Sequence, residues 1–271
     1  MDFGTVIGLI AGLAIIAVGV VRNGGDLYWF YNLNSILIVF GGTFAATLVN
    51  YPLKHVFNIF RVVKNVFTEE EYDYQNMINQ IVEKAEKARK SGVISLEADL
   101  PNIEDSFLRN GLELAINERD PGLLRTYLRL ELNNIERRHG MGQEIFFYMG
   151  AYAPAFGMLG TIIGLIIMMN NFSGAGDGQE IDAMSFNVAQ KFAELLGGMG
   201  LALITTFYGV LLANLVFLPI GGKLKRKSEN EMMLKNIVLE GIISIHRKDH
   251  PILIKEKLMT FVPRTERQLE D

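Results

Sequence analysis

Four stretches of this chain are apolar with almost no charge. Phe146 to Asn170 and Phe192 to Leu218 carry hydroxyls as their main polar groups. Each is long enough to cross a bilayer as a helix, which takes about 20 residues at roughly 1.5 Å rise per residue. Phe3 to Val21 is another uninterrupted apolar run, and Asn34 to Val49 is a shorter one rich in small residues. No basic residue precedes the first run and no small-x-small cleavage site clearly follows it, so it reads as a span rather than a leader.

Between these runs the pattern is amphipathic and helical. Leu53 to Phe67 carries Lys54, His55, Arg61 and Lys64 along one edge of a broad apolar face, a composition that suits the headgroup region or packing on a helical bundle equally. Thr68-Glu69-Glu70-Glu71 has the form of a helix start. Tyr74 to Lys90 places Met77, Ile78, Ile81, Val82, Ala85 and Ala88 at helical spacing and stops at Ser91-Gly92. A connector from Val93 to Leu100 ends at Pro101, and helices are predicted over Ile103–Asn117 and Gly122–His139, parted by Asp120-Pro121-Gly122. No alternating strand pattern occurs here. After the fourth run, Pro219 is expected to end the span, and an amphipathic helix follows over Glu231–His246.

The expected fold is therefore an all-α membrane protein. It has four transmembrane helices, a helical cytoplasmic domain between the second and third, and a cytoplasmic C-terminal helix. The expected divisions are 1–51 (two spans and a short outer loop), 52–145 (interface helix and cytoplasmic domain), 146–218 (two spans) and 219–271 (tail).

Composition agrees: 49% of the 271 residues are hydrophobic, and mean hydropathy is +0.22, too apolar for an ordinary soluble domain. Charge distribution orients the spans. Of 26 Lys and Arg, 13 lie between Pro52 and Ile145 and 11 after Leu218. The opposite side holds only Arg22 and Lys191, so the middle segment, the tail and both termini are expected in the cytoplasm. The outer loop Ser173–Gln179 is mildly acidic with Asp177, Glu180 and Asp182, the ordinary chemistry of a solvated loop.

No cysteine exists to form a disulfide or thiolate site. His55, His139, His246 and His250 are scattered. No phosphate-binding glycine loop follows a strand and no nucleophile–base pair can be argued, so neither an enzyme nor a bound cofactor is expected, and nothing points to nucleic acid. A membrane protein without a fuel site draws its energy from an ion gradient. Thr161, Thr205 and Thr206 fall at similar membrane depth. The ordinary role of such a threonine is a bond back to its own helix, but three at one level favour a hydrophilic lining. Gly157, Gly160 and Gly164 on one run and Ala202, Thr206, Gly209 and Ala213 on the other form small-residue faces for close packing. Pro154 removes an amide from the third span. Apart from Glu194, near the outer end of the fourth run, no acid is present in these stretches, so a second protein must bring the carboxylate that would carry a cation.

The order of four runs, the large segment between the second and third, and the stretches APAFGMLGTIIGL, TTFYGVLLANLVFLP and ARKSGVISLEADL resemble the MotA/PomA stator subunits of the bacterial flagellar motor. The last two runs are also similar to the TolQ/ExbB relatives, which transduce energy to the cell envelope. The MotA/PomA resemblance implies a cation channel, for protons or sodium, that drives rotor torque for swimming. Its implied partners are a MotB-like subunit bearing a transmembrane aspartate, the rotor protein FliG, membrane lipid, and further copies of the chain in a ring of five around two copies of MotB. It implies that Arg89, Lys90 and Glu97 contact the rotor, that Thr161, Thr205 and Thr206 surround the ion path with a lean toward sodium, and that Pro154 and Pro219 couple ion flow to conformational change. Surface charges such as Arg89 ordinarily form only a solvated face. A secondary transporter would show an internal repeat or a midplane binding constellation, and neither is found.

Overall fold

The computed structural model describes residues 3–68, 72–173 and 188–262, and among them helices joined by turns make up the fold, with no strand. The outer-loop acids, the Glu69–Glu71 run and Pro263 lie outside the described residues. The helices are α1 (Phe3–Arg22), α2 (Leu33–Asn50), α3 (Leu53–Phe67), α4 (Tyr74–Ser91), α5 (Ser106–Asn117), α6 (Pro121–Ser173), α7 (Val188–Leu211), α8 (Leu218–His246) and α9 (Pro251–Met259). Turns of π-helix interrupt α2 at Leu37–Gly41 and join α7 to α8 at Leu212–Phe217. Among the described residues, four helices have a stretch long and apolar enough to cross a membrane: α1, α2, and parts of Pro121–Asn170 and Leu195–His246.

The chain divides into two compact units, Met1–Glu69 with Met141–Leu224, and Glu70–Gly140 with Lys225–Asp271. In the first, Val39 of α2, Val66 of α3, Ile145, Phe146, Met149 and Ala153 of α6, and Ala213, Phe217 and Leu224 share a buried cluster. Helix α1 buries none of its side chains and touches the π-turn where Gly12 faces Leu215. Asn32 caps α2 by accepting from the Ser35 amide at 3.0 Å.

The second unit has an ordinary hydrophobic core. Ile78 and Ile81 of α4, Leu108 and Leu112 of α5, Leu124 and Leu128 of α6, Ile237, Ile242 and Ile243 of α8, and Ile254 and Leu258 of α9 are buried together. Each such side chain contributes about 1.5–3 kcal/mol relative to exposure. Glycines admit the closest approaches: a Cβ at Gly241 would stand 2.6 Å from Ile81.

Four boundaries differ from those read off the sequence. Helix α5 begins at Ser106 and not at Ile103, because Asp105 caps it by accepting from the Leu108 amide at 2.6 Å. Thr68 does not start a helix; it is the C-cap of α3, its hydroxyl donating to the Lys64 carbonyl at 3.3 Å. The next helix begins at Tyr74 because Asp73 accepts from the Asn76 amide at 2.8 Å. The helix expected over Gly122–His139 does not stop at His139 but runs on to Ser173. Gly140 and Gly142 inside it cost about 1 kcal/mol each in propensity, which tertiary packing overrides, and Gly142 lies against Val62. Pro219 does not break the helix: helical structure continues to His246. The π-turn at Leu212–Phe217 has already loosened the i→i−4 ladder there, so the missing proline amide is absorbed.

Glu240 ties the second unit together. It accepts from Arg125 Nη2 at 2.9 Å and from Lys257 Nζ at 2.6 Å, joining α8 to α6 and α9. Burial opposes its charge, but the hydrogen bonds from Arg125 and Lys257 outweigh this and hold the carboxyl at about 2. Its contribution to stability is thus full above the ordinary value of 4.5 and falls away as pH drops from there toward about 2. Glu240→Gln should cost about 2 kcal/mol, the range of hydrogen bonds to a charged group, and flatten the acid limb of unfolding, followed by hydrogen exchange of α8 amides from neutral to acid pH.

Candidate functional site

The helices of the third and fourth spans meet through residues with little or no side chain. A Cβ at Gly157 would lie 3.0 Å from the Thr205 carbonyl oxygen and 3.2 Å from Thr206 Cα. One at Gly160 would lie 2.6 Å from Thr205 Cβ, and one at Gly164 would lie 3.1 Å from the Ala202 amide nitrogen. At the other end, a Cβ on Gly209 would stand 2.6 Å from the Ala153 carbonyl and 3.1 Å from Pro154 Cα. In lipid no hydrophobic drive brings helix to helix, so dispersion and polar contacts at such close range hold the pair.

That seam brings the three threonines together. Thr161 Oγ1 lies 2.6 Å from Thr206 Oγ1, 3.1 Å from the Ala202 carbonyl and 3.1 Å from the Gly157 carbonyl of its own helix. A threonine has one proton to donate, so the arrangement is satisfied when Thr206 donates to Thr161 and Thr161 donates to one of the two carbonyls. Thr205, with no exposed surface, donates to the Ala202 carbonyl at 2.8 Å and packs on Gly160. Thr161 and Thr206 are only partly buried, whereas Thr205 is enclosed by the seam.

Two hydroxyls and a carbonyl give three oxygens in one place, short of the six or so that a hard cation takes. No acid occurs in residues 3–50 other than Asp26, in 145–170 or in 195–218. Among the described residues no His, Asp and Glu gather into a metal site. Such a wall can solvate a passing cation but cannot neutralise it.

A second hydroxyl row is not signalled by the sequence reading. Ser35, Thr43 and Thr47 on α2 are fully buried, with Val39 between them on the same face. Thr43 donates to the Val39 carbonyl at 2.6 Å and Thr47 to the Thr43 carbonyl at 2.7 Å. The four-residue spacing is the signal that could have found them. These hydroxyls are spent on their own helix.

Pro154 sits within α6, with its Cα at the Gly209 contact just described. Pro219 lies in the first turn of α8, beside Leu218, whose side chain faces Gly150.

The remaining candidates lie in the second unit, where Arg89 and Lys90 close α4 and Glu97 follows in tight turns over Val93–Asn102. All three are exposed, and among the described residues no ion pair engages them. Gly92, at φ +85°, makes the reversal a side chain would strain. Leu96 is then buried in the core as an anchor. Asp99 clamps the segment to α4: Lys87 Nζ is 2.7 Å and Lys84 Nζ 3.7 Å from its carboxylate. The Lys87 hydrogen bond, foremost, holds the Asp99 carboxyl below its usual range.

Comparison with known proteins places this architecture. The profile of the MotA/TolQ/ExbB proton channel family matches residues 99–236. Motility protein A of Borreliella burgdorferi is 33% identical over 99% of this chain and 97% of its own. The chemotaxis protein PomA of Vibrio alginolyticus is 30% identical over 100% and 99%. Among solved structures, the flagellar MotAB stator complex of Bacillus subtilis has a chain with TM-score 0.82 and 29% identity, covering 97% of this chain and 96% of that one. A chain of the C. jejuni MotAB structure shares the fold with TM-score 0.85 at 23% identity over 97% of both. The chain belongs to the MotA/TolQ/ExbB proton channel family. Within it, the chain is of the flagellar stator type.

The seam makes a sharp expectation. Gly160→Ala should cost about 1–3 kcal/mol through overpacking against Thr205. Gly19→Ala on α1, where nothing lies within 4 Å, should be neutral within about 0.5 kcal/mol. Thermal unfolding of the purified chain in detergent separates them.

Proposed function

We propose that this chain builds the hydroxyl-lined wall of a cation channel whose titrating carboxylate comes from a MotB-like partner, and that ion flow past that wall drives rotation of the flagellar rotor. The observation that carries this reading is the Thr161–Thr206–Ala202 cluster in a pair of spans whose one acid, Glu194, lies near an end and away from the cluster in sequence. The MotAB complexes among its structural relatives support a partner of that kind.

On this reading four spans cross the inner membrane with both termini in the cytoplasm, supported by the loading of Lys and Arg onto one side. The bundle between the second and third spans, with α8 and α9, is the cytoplasmic domain. Several copies, five by resemblance to the family, surround two partner chains. Thr161, Thr205 and Thr206 border the ion path: Thr161 and Thr206 present oxygens, and Thr205 holds the helix spacing. Pro154 and Pro219 are where the helices yield as the ion binds and leaves. Arg89, Lys90 and Glu97 meet FliG. Exposed charges of both signs suit contacts that form and release rapidly.

Sodium is the ion favoured by the clustered hydroxyl and carbonyl oxygens. Swimming speed should rise with external sodium at fixed pH, and a flat response would exclude sodium. Thr206→Val should raise the half-saturating sodium concentration about fivefold to tenfold, the loss of one contact of roughly 1–1.5 kcal/mol, whereas Thr43→Val should leave it unchanged.

Asp99→Asn should reduce stall torque severalfold while leaving ion permeability intact, because it frees the segment carrying Glu97 without touching the membrane seam. Equal losses of torque and permeability would remove Asp99 from this role.

A further inference from the structure

Helix α3 has two faces of different fate. Val56 and Val66 are buried, and Val62 and Val63 pack on the membrane unit's core. The other face leaves Leu53 61% and Phe57 66% exposed, with Lys54, His55 and Lys64 exposed alongside. Residues 53, 57 and 64 recur at helical spacing, so apolar and basic side chains share one stripe. From Leu53 to Phe67 there is no acidic residue.

The position of this face relative to the bilayer follows from α2. Tyr28, Trp29 and Tyr31, exposed just ahead of α2, form an aromatic group of the kind that marks a membrane–water boundary. The 18 residues Leu33–Asn50 then advance about 27 Å, close to the hydrocarbon thickness of roughly 30 Å. Helix α3 begins directly afterwards, past Tyr51-Pro52, and so starts at the opposite boundary. There Phe57 and Leu53 have acyl chains to enter, and the cations beside them meet headgroup phosphates.

We propose that the exposed face of α3 is a binding surface for anionic phospholipid, with Lys54 and Lys64 holding the headgroup phosphate and Leu53 and Phe57 in the acyl region. Charge complementarity selects the lipid. A stripe of cations and aromatics without any acid favours a phosphatidylglycerol-type headgroup over a zwitterionic one, by about fivefold for each basic residue at an anionic surface before salt screening. This surface is separate from the threonine seam and does not depend on which ion the channel carries.

Trp29 is the sole tryptophan, which gives a clean test in the full-length chain. With Trp29→Phe and Phe57→Trp combined, the protein is reconstituted in nanodiscs of phosphatidylglycerol and phosphatidylcholine in equal parts, with bromine on the acyl chains of one lipid or the other. The introduced indole should be quenched about threefold more strongly when phosphatidylglycerol carries the bromine, and Lys54→Gln with Lys64→Gln should equalise the two arms. Equal quenching in the parent would show an apolar contact without headgroup selection and overturn the proposal. Quenching by neither lipid would show that protein covers this face, and would overturn it equally. A matching thermal transition for both proteins secures the comparison against misfolding.

Discussion

Glycine and alanine at the crossing of the third and fourth spans allow two helix backbones to come within van der Waals reach, and the chemistry of the membrane unit follows from that approach. Larger residues at 157, 160 and 209 would meet backbone atoms or the Thr205 side chain at 3.0 Å or less. Because the helices are that close, the Thr161 hydroxyl reaches across to a carbonyl of the neighbouring helix as well as to its own. With the helices farther apart, Thr161 would only bond back and Thr206 would lose its partner. Close packing therefore turns residues that usually serve their own helix into an interhelical group, and such bonds are worth roughly 0.6–2 kcal/mol within a bilayer.

The second unit is held together differently. Its helices are held by a core of Ile and Leu, with polar groups used sparingly and at positions that fix geometry. Glu240 joins three helices through two cations, and Asp99 secures one surface segment to α4. Partly exposed ionic groups of this sort add little net stability, because desolvation and solvent screening offset much of the attraction. They fix which helices are neighbours, which the less directional packing of branched aliphatic side chains leaves less defined.

Much of this was legible in the chain. The apolar runs gave the spans because about 20 uncharged residues have few other uses, and the spacing of Met77, Ile78, Ile81 and Ala85 gave the core face of α4. The threonine level was legible because depth in an antiparallel pair follows from counting residues. What was not legible depended on competition between neighbours. Thr68 and Asp73 are both good caps, and only the fold shows that Asp73 takes the role. Pro219 is a helix breaker by local rules, yet a π-turn several residues earlier removes the conflict, and nothing in LANLVF announces that turn. The buried row on α2 was hidden because Ser35, Thr43 and Thr47 look like minor polar interruptions until their common spacing is noticed. Arg89, Lys90 and Glu97 carried no physical signal beyond exposure, and their assignment rests on resemblance.

A carboxylate built into the seam itself would serve this protein poorly. An ionised acid at the centre of a span is costly, by several kcal/mol or more, and the oxygens nearby are already occupied with Thr161, Thr205 and Thr206. An acid fixed there would also hold its cation whatever the partner was doing. When the carboxylate sits on a separate chain, the binding site is complete only in those arrangements that bring the acid to the hydroxyls. Ion occupancy then acquires a different free energy in each arrangement of the two proteins, and a difference of that kind is the one means by which a bound ligand can move a conformational equilibrium. On the proposed reading, a hydroxyl wall that borrows its acid suits a channel in which transport has to do mechanical work on its neighbour.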